Sequence, residues 1–203
     1  PNGPQSTITE KEKNQKQYVS CGPETALTLD KLPRIKHPRL IYSDEKSDYP
    51  LVVPNDNTIP AGVIKNKVLE LQLEIVWSDF YPEGKNHPGL RMVTISEKGK
   101  TPSIPAPLIR VETGTKIHAV LHNTLKDSSA TIYGLQKRPS SVYDSVVVNP
   151  GEKKEISFES GIAGTYLYWI KLGTPLMDHE EEQLGGGLII DPKGGSPPDR
   201  VLV

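Results

Sequence analysis

His37, His87, His118, His122 and His179 are the imidazoles this chain can offer a proton or a metal, and Cys21 is its one thiol. Imidazole nitrogen suits copper and zinc when two rings point at one spot. His118 and His122 come closest to that pattern, inside "TKIHAVLHN". As a strand, this stretch sets Ile117, Ala119 and Leu121 on an apolar face. Lys116, His118, Val120 and His122 then share the other face. The two rings stand about 13 Å apart along such a strand, too far to hold one ion together. They are expected to be solvated surface histidines. His87 lies between Asn86 and Pro88, and His37 precedes Pro38, so both read as loop residues. A blue-copper centre would add a thiolate to two imidazoles. Cys21 is far in sequence from any histidine-bearing strand.

The densest acidic cluster is "MDHEEEQ", with Asp178, His179, Glu180, Glu181 and Glu182. It could bind a divalent cation weakly or face a partner, but runs of like charge usually face water, so a solvated loop is expected. Nucleophilic catalysis has no support, because no Gly-x-Ser-x-Gly elbow occurs. No phosphate-binding glycine loop leads into a helix either. The glycines at 185–187 open a strand, where close backbone packing is the expected use.

The elements that position these residues are short and numerous. The chain has 203 residues, 35% of them hydrophobic, with 19 Pro and 17 Gly. Such punctuation favours many strands and turns over long helices. A net charge of -1 and a pI near 6.6 speak against a dedicated nucleic-acid surface. No apolar run is long enough to cross a bilayer as a helix, and the polar first residues show no signal peptide. A lone cysteine cannot form an internal disulfide, so it says nothing of redox compartment.

Residues 1–62 read as a polar and Pro-rich N-terminal arm, and 63–203 as one domain. In "VLELQLEIVW", Leu69, Leu71, Leu73, Ile75 and Trp77 alternate with Glu70, Gln72, Glu74 and Val76. That period gives a strand with one buried face. Further strands are expected at "LRMVTIS", "PLIRVE", "TKIHAVLHN", "ATIYGL", "SVYDSVVV", "KKEISFE", "GTYLYWI" and "GGLIIDP". Turn residues separate them, as in "NPGE" at 149–152. This is the pattern of a β-sandwich or barrel. In "GTYLYWIK", Tyr166, Tyr168 and Ile170 share one face and Leu167, Trp169 and Lys171 the other.

Several of these motifs carry a family resemblance. "PAPLIRVETGTKIHAVLHNTL", "VVVNPGEKKEISFESGIAGTYLYW" and "GGGLIIDP" resemble, in order and spacing, segments of multicopper oxidase cupredoxin domains. The closing "PPDRVLV" resembles the start of the linker to a second domain. The resemblance runs over roughly residues 68–203 and implies an all-β, cupredoxin-like Greek-key β-sandwich or barrel with an extended N-terminal arm. In the family, the first domain gives two His-x-His pairs to a copper cluster. One pair stands before Gly-Leu and the other after Gly-Thr-Tyr-x-Tyr. In this chain Thr131 and Tyr133 occupy the first pair of positions, and Trp169 and Lys171 the second. An indole has no lone pair to give and an ammonium repels a cation.

The expectation is therefore a domain without copper or catalytic residues of its own. It would serve as scaffold and interface in a multicopper oxidase-like protein that is periplasmic or secreted. Copper and O2-coupled oxidation would belong to downstream domains. Its partners would be further cupredoxin domains of the same protein or of another chain, with no nucleic acid and no membrane span. The alternative is a copper-free cupredoxin-fold binding or structural protein of the cell envelope. The former ligand positions are expected to be packed, with Trp169 buried; an exposed Trp169 would mark a partner interface instead.

Overall fold

A computed structural model of the chain describes residues 40–42, 46–141, 144–173 and 184–195. Cys21, His37 and the acidic cluster Asp178, His179, Glu180, Glu181 and Glu182 lie outside the described residues.

The expected all-β architecture is present, and among the described residues there is no helix. One sheet contains β1 (Leu40–Ile41), β3 (Val63–Lys65), β4 (Val68–Phe80), β5 (Gly89–Glu97), β8 (Lys116–Asn123) and β11 (Lys153–Glu159). The other contains β7 (Ile109–Glu112), β9 (Ala130–Tyr133), β10 (Ser145–Val148), β12 (Gly164–Leu172) and β13 (Gly185–Asp191). A short parallel pair joins β2 (Val53–Pro54) to β6 (Ser103–Ile104). The strand order is β1-β5-β4-β8-β11 with β3 beside β4 in the six-stranded sheet, and β10-β9-β12-β13-β7 in the five-stranded sheet. Sequential strands repeatedly change sheet, so β4 lies parallel to β8 and β13 lies parallel to β7.

The inner faces follow from alternation. Leu69, Leu71, Leu73 and Ile75 of β4 meet Ile117, Ala119 and Leu121 of β8 in the core. Ile132, Tyr168, Ile170, Leu188 and Ile190 enter it from the five-stranded sheet. Burying each leucine or isoleucine of this set stabilises by about 1.5–3 kcal/mol relative to exposure. Gly151, at φ +72°, takes the left-handed conformation in the turn that carries the chain from β10 across to β11.

β4 continues to Phe80, beyond the end at Trp77 that hydrophobic alternation suggests. Ser78 and Asp79 are buried there but paired. The Ser78 and Thr94 hydroxyls lie 2.7 Å apart. Asp79 Oδ1 accepts from Arg91 Nε at 2.9 Å. The polar groups cost little inside because each is satisfied.

The described part of residues 40–62 makes contact with this sandwich. β1 pairs with β5, and Ala61 N–H donates to the Leu108 carbonyl at 2.7 Å. Asn55 Nδ2 donates to the carbonyls of Pro105 and Ala106, both at 3.2 Å.

Candidate functional site: the outer face of the five-stranded sheet

β9 and β12 run antiparallel, and their register sets Tyr133 directly opposite Trp169 and Thr131 directly opposite Lys171. All four positions singled out in the sequence thus gather as two cross-strand pairs on one face. Residues between them point the other way: Ile132, Tyr168 and Ile170 are buried in the core. The Tyr168 ring covers Gly186 of β13, where an added Cβ would stand 2.7 Å from ring atoms. Its phenol donates to the Pro107 carbonyl at 2.6 Å, and burial pushes its pKa up. Of the glycines at the start of β13, Gly186 is therefore used for close packing.

On the outward face the Tyr133 and Trp169 rings stack, with centroids 5.3 Å apart and planes 11° from parallel. Trp169 remains 40% exposed, Leu167 of the same strand 53%, and Val147 of β10 43%. The expected burial of Trp169 is therefore incorrect. Alternation along β12 sends Trp169 away from the core, and the described residues leave that side open.

Arg138 braces this face. Its Nη2 donates to the Leu167 carbonyl and its Nη1 to Ser140 Oγ at 2.9 Å. Its guanidinium lies 5.0 Å from the centre of the Tyr166 ring. Burial lowers its pKa from the ordinary value. Gly134, at φ +85°, must lack a side chain, because a Cβ would collide with the same Leu167 carbonyl. The sequence contained this feature as Gly134-Leu135, but nothing local in it points to Arg138.

The donor set here does not suit copper. Thr131 offers a hydroxyl, Tyr133 a phenol stacked on its neighbour, Trp169 no lone pair and Lys171 an ammonium. Among the described residues, no group of three or more His, Cys, Asp or Glu side chains is arranged to hold a metal.

The histidines of β8 lie on the outer face of the other sheet. They are partly exposed, and each is paired with a carboxylate. His118 Nδ1 is 2.6 Å from Glu70 Oε2, and its Nε2 is 3.6 Å from Glu155 Oε2. The hydrogen bond to Glu70, reinforced by Glu155, raises the His118 pKa. His122 Nδ1 is 3.1 Å from Glu74 Oε1. Glu70 and Glu155 approach opposite nitrogens of His118, so they form a bridge across strands and no chelate. His87 lies 3.7 Å from Glu83 on an exposed loop.

With the sheets and the ligand positions in place, the class is clear. The chain belongs to the multicopper oxidase family, whose model matches residues 93–195, and its sandwich is cupredoxin-like. It is 31% identical over 119 residues to a probable nitrite reductase-hydroxylamine oxidoreductase fusion protein of Kuenenia stuttgartiensis. That match covers 52% of this chain and 14% of the relative. Similar solved structures include a copper nitrite reductase from Nitrosomonas europaea, at 25% identity and a TM-score of 0.47. The alignment covers 63% of this chain and 42% of that one. A multicopper oxidase from Campylobacter jejuni, described as a metallo-oxidase, aligns at 20% identity and a TM-score of 0.46. It covers 71% of this chain and 30% of the other. This chain thus spans well under two thirds of the length of each.

Proposed function

We propose that this chain is a scaffold and docking domain of a larger multicopper oxidase-like protein, and that it holds no copper of its own. The observation that carries the proposal is the exposed Trp169, stacked on a half-buried Tyr133 at the family's ligand positions. Aromatic side chains left open on a well-ordered sheet are typical anchors of protein interfaces. The partner is a further cupredoxin domain of the same protein or of another chain. Copper, and any oxidation coupled to O2, belongs to that remainder, and the whole protein is periplasmic or secreted.

The chain and the remainder of its parent, produced separately, should associate in sedimentation velocity runs. Replacing both Tyr133 and Trp169 by Ala should weaken that association by about tenfold or more, as for a paired aromatic hot spot. Unchanged association would contradict the docking role. The same samples answer the copper question. The chain dialysed against Cu2+ should retain no stoichiometric metal, and a tightly held copper in it would overturn that part. A parent that also lacks copper would favour the second reading, a copper-free binding or structural protein of the cell envelope.

A further inference from the structure

The aromatic stack stands in a row of four positions. Register across β10, β9, β12 and β13 aligns Ser145, Tyr133, Trp169 and Gly185. Neighbouring strands lie about 4.8 Å apart. The ring centroids are 5.3 Å apart, so the rings stack along the row. Tyr133 covers one face of the indole. The other face looks over Gly185, where the next position in the row has no side chain. Among the described residues no second ring or cation meets Trp169. The fold does not require a glycine there. Gly185 is not among the residues with positive φ. A Cβ on it would meet nothing closer than the Tyr168 carbonyl oxygen at 3.4 Å and Trp169 Cβ at 3.7 Å, both ordinary contacts. Gly89, Gly164 and Gly186 differ, because a Cβ on them would press on Tyr81, Tyr166 and Tyr168 respectively. A glycine in a strand weakens it and often marks a place where another group approaches closely. What Gly185 contributes is the open, half-buried space beside the indole.

We propose that the domain docking on this face inserts one aromatic side chain over Gly185, against the free face of Trp169. The inference rests on the docking role proposed above and names the anchor that the partner supplies. The slot is one strand spacing wide and has a flat π surface as its wall, so a ring fills it at the spacing already set by Tyr133 and Trp169. Stacked rings gain free energy beyond the area they bury. A rigid ring also loses little side-chain freedom on docking. Three rings then run in one stack across the joint: Tyr133, Trp169 and the partner's.

The test is hydroxyl-radical footprinting of the whole parent protein, wild type against Gly185→Val, with oxidation read residue by residue. Valine fills the slot from the sheet side. Thermal unfolding of the chain carrying it should be unchanged or raised, because the Cβ has room and valine favours a strand. The expected result has two parts. Trp169 is protected in the wild-type parent, but in the Gly185→Val parent it is oxidised as readily as in the Gly185→Val chain alone. One Phe, Tyr or Trp of another domain becomes oxidised along with it. Gly185→Ala intrudes less and should expose both partially, and it carries the test if the valine variant does not fold. Suppose Trp169 is protected in the wild-type parent and equally protected in both variants. The slot is then not the contact, so this inference is overturned and the docking role stands. Exposure of Trp169 with no aromatic residue of another domain exposed beside it also overturns the ring, in favour of an aliphatic or cationic group. If Trp169 in the wild-type parent is as accessible as in the chain alone, the docking role fails and this inference fails with it.

Discussion

On the outer face of the six-stranded sheet, Glu70, Glu74, His118, His122 and Glu155 hold one another in cross-strand pairs. On the outer face of the five-stranded sheet, Trp169, Leu167 and Val147 are exposed, with Tyr133 half-buried against Trp169. Both faces are made by the same alternation and cover the same core. The first is settled in water: its two histidines are paired with carboxylates of neighbouring strands, and contact with another surface would cost desolvation. The second is incomplete: its apolar rings gain free energy only when something covers them. A sandwich that is finished on one outer face and unfinished on the other has its binding side marked by the chemistry left unmatched.

The largest effect expected separates inside from outside on one strand. Tyr168→Ala should destabilise the chain by about 3–5 kcal/mol, because it empties a fully buried site over Gly186. Its neighbour Trp169 points outward, so Trp169→Ala should cost about 1–2 kcal/mol, from the aromatic pairing and a partial burial. Equal losses in denaturant unfolding would mean that the outer face is packed like core, and the contrast between the two faces would collapse.

A smaller effect belongs to the charged face. The His118 pKa lies above the ordinary 6.5 in the folded chain. The ion pairs therefore stabilise fully below about pH 6.5 and lose that contribution as pH rises through the folded value. Glu70→Gln should remove about 0.2–1 kcal/mol at pH 6 and less at pH 9, within the range for partly exposed pairs. A pH-independent loss would show that the His118–Glu70 contact is not ionic. Lys171→Met should change stability least of all, since Lys171 has no described partner to lose.

The sequence made the longer strands readable, and with them the two faces of β4, β8 and β12, because alternation is local; the two- and three-residue strands β1, β2, β3 and β6 are too short to show it. It also located the four ligand positions, since Gly134-Leu135 and Gly164-Thr165-Tyr166 frame them. Their arrangement as opposed pairs needed the β9–β12 register. The His118–Glu70 contact was hidden for the same reason: it depends on β4 lying parallel to β8, across 48 residues of chain. The exposure of Trp169 was misjudged because period-two alternation assigns a face but does not say what covers it. Hydrophobic alternation stops at Trp77, short of Asp79, whose partner Arg91 comes from another strand.

The docking face is tested most directly by hydroxyl-radical footprinting of the chain alone and within its parent, with oxidation read residue by residue. Site resolution matters, because Trp77 is a second, partly buried indole. Tyr133 and Trp169 should be oxidised readily in the chain alone and strongly protected in the parent. His118 and His122, on the other sheet, should react alike in both. Equal oxidation of Tyr133 and Trp169 in the two samples would contradict the account.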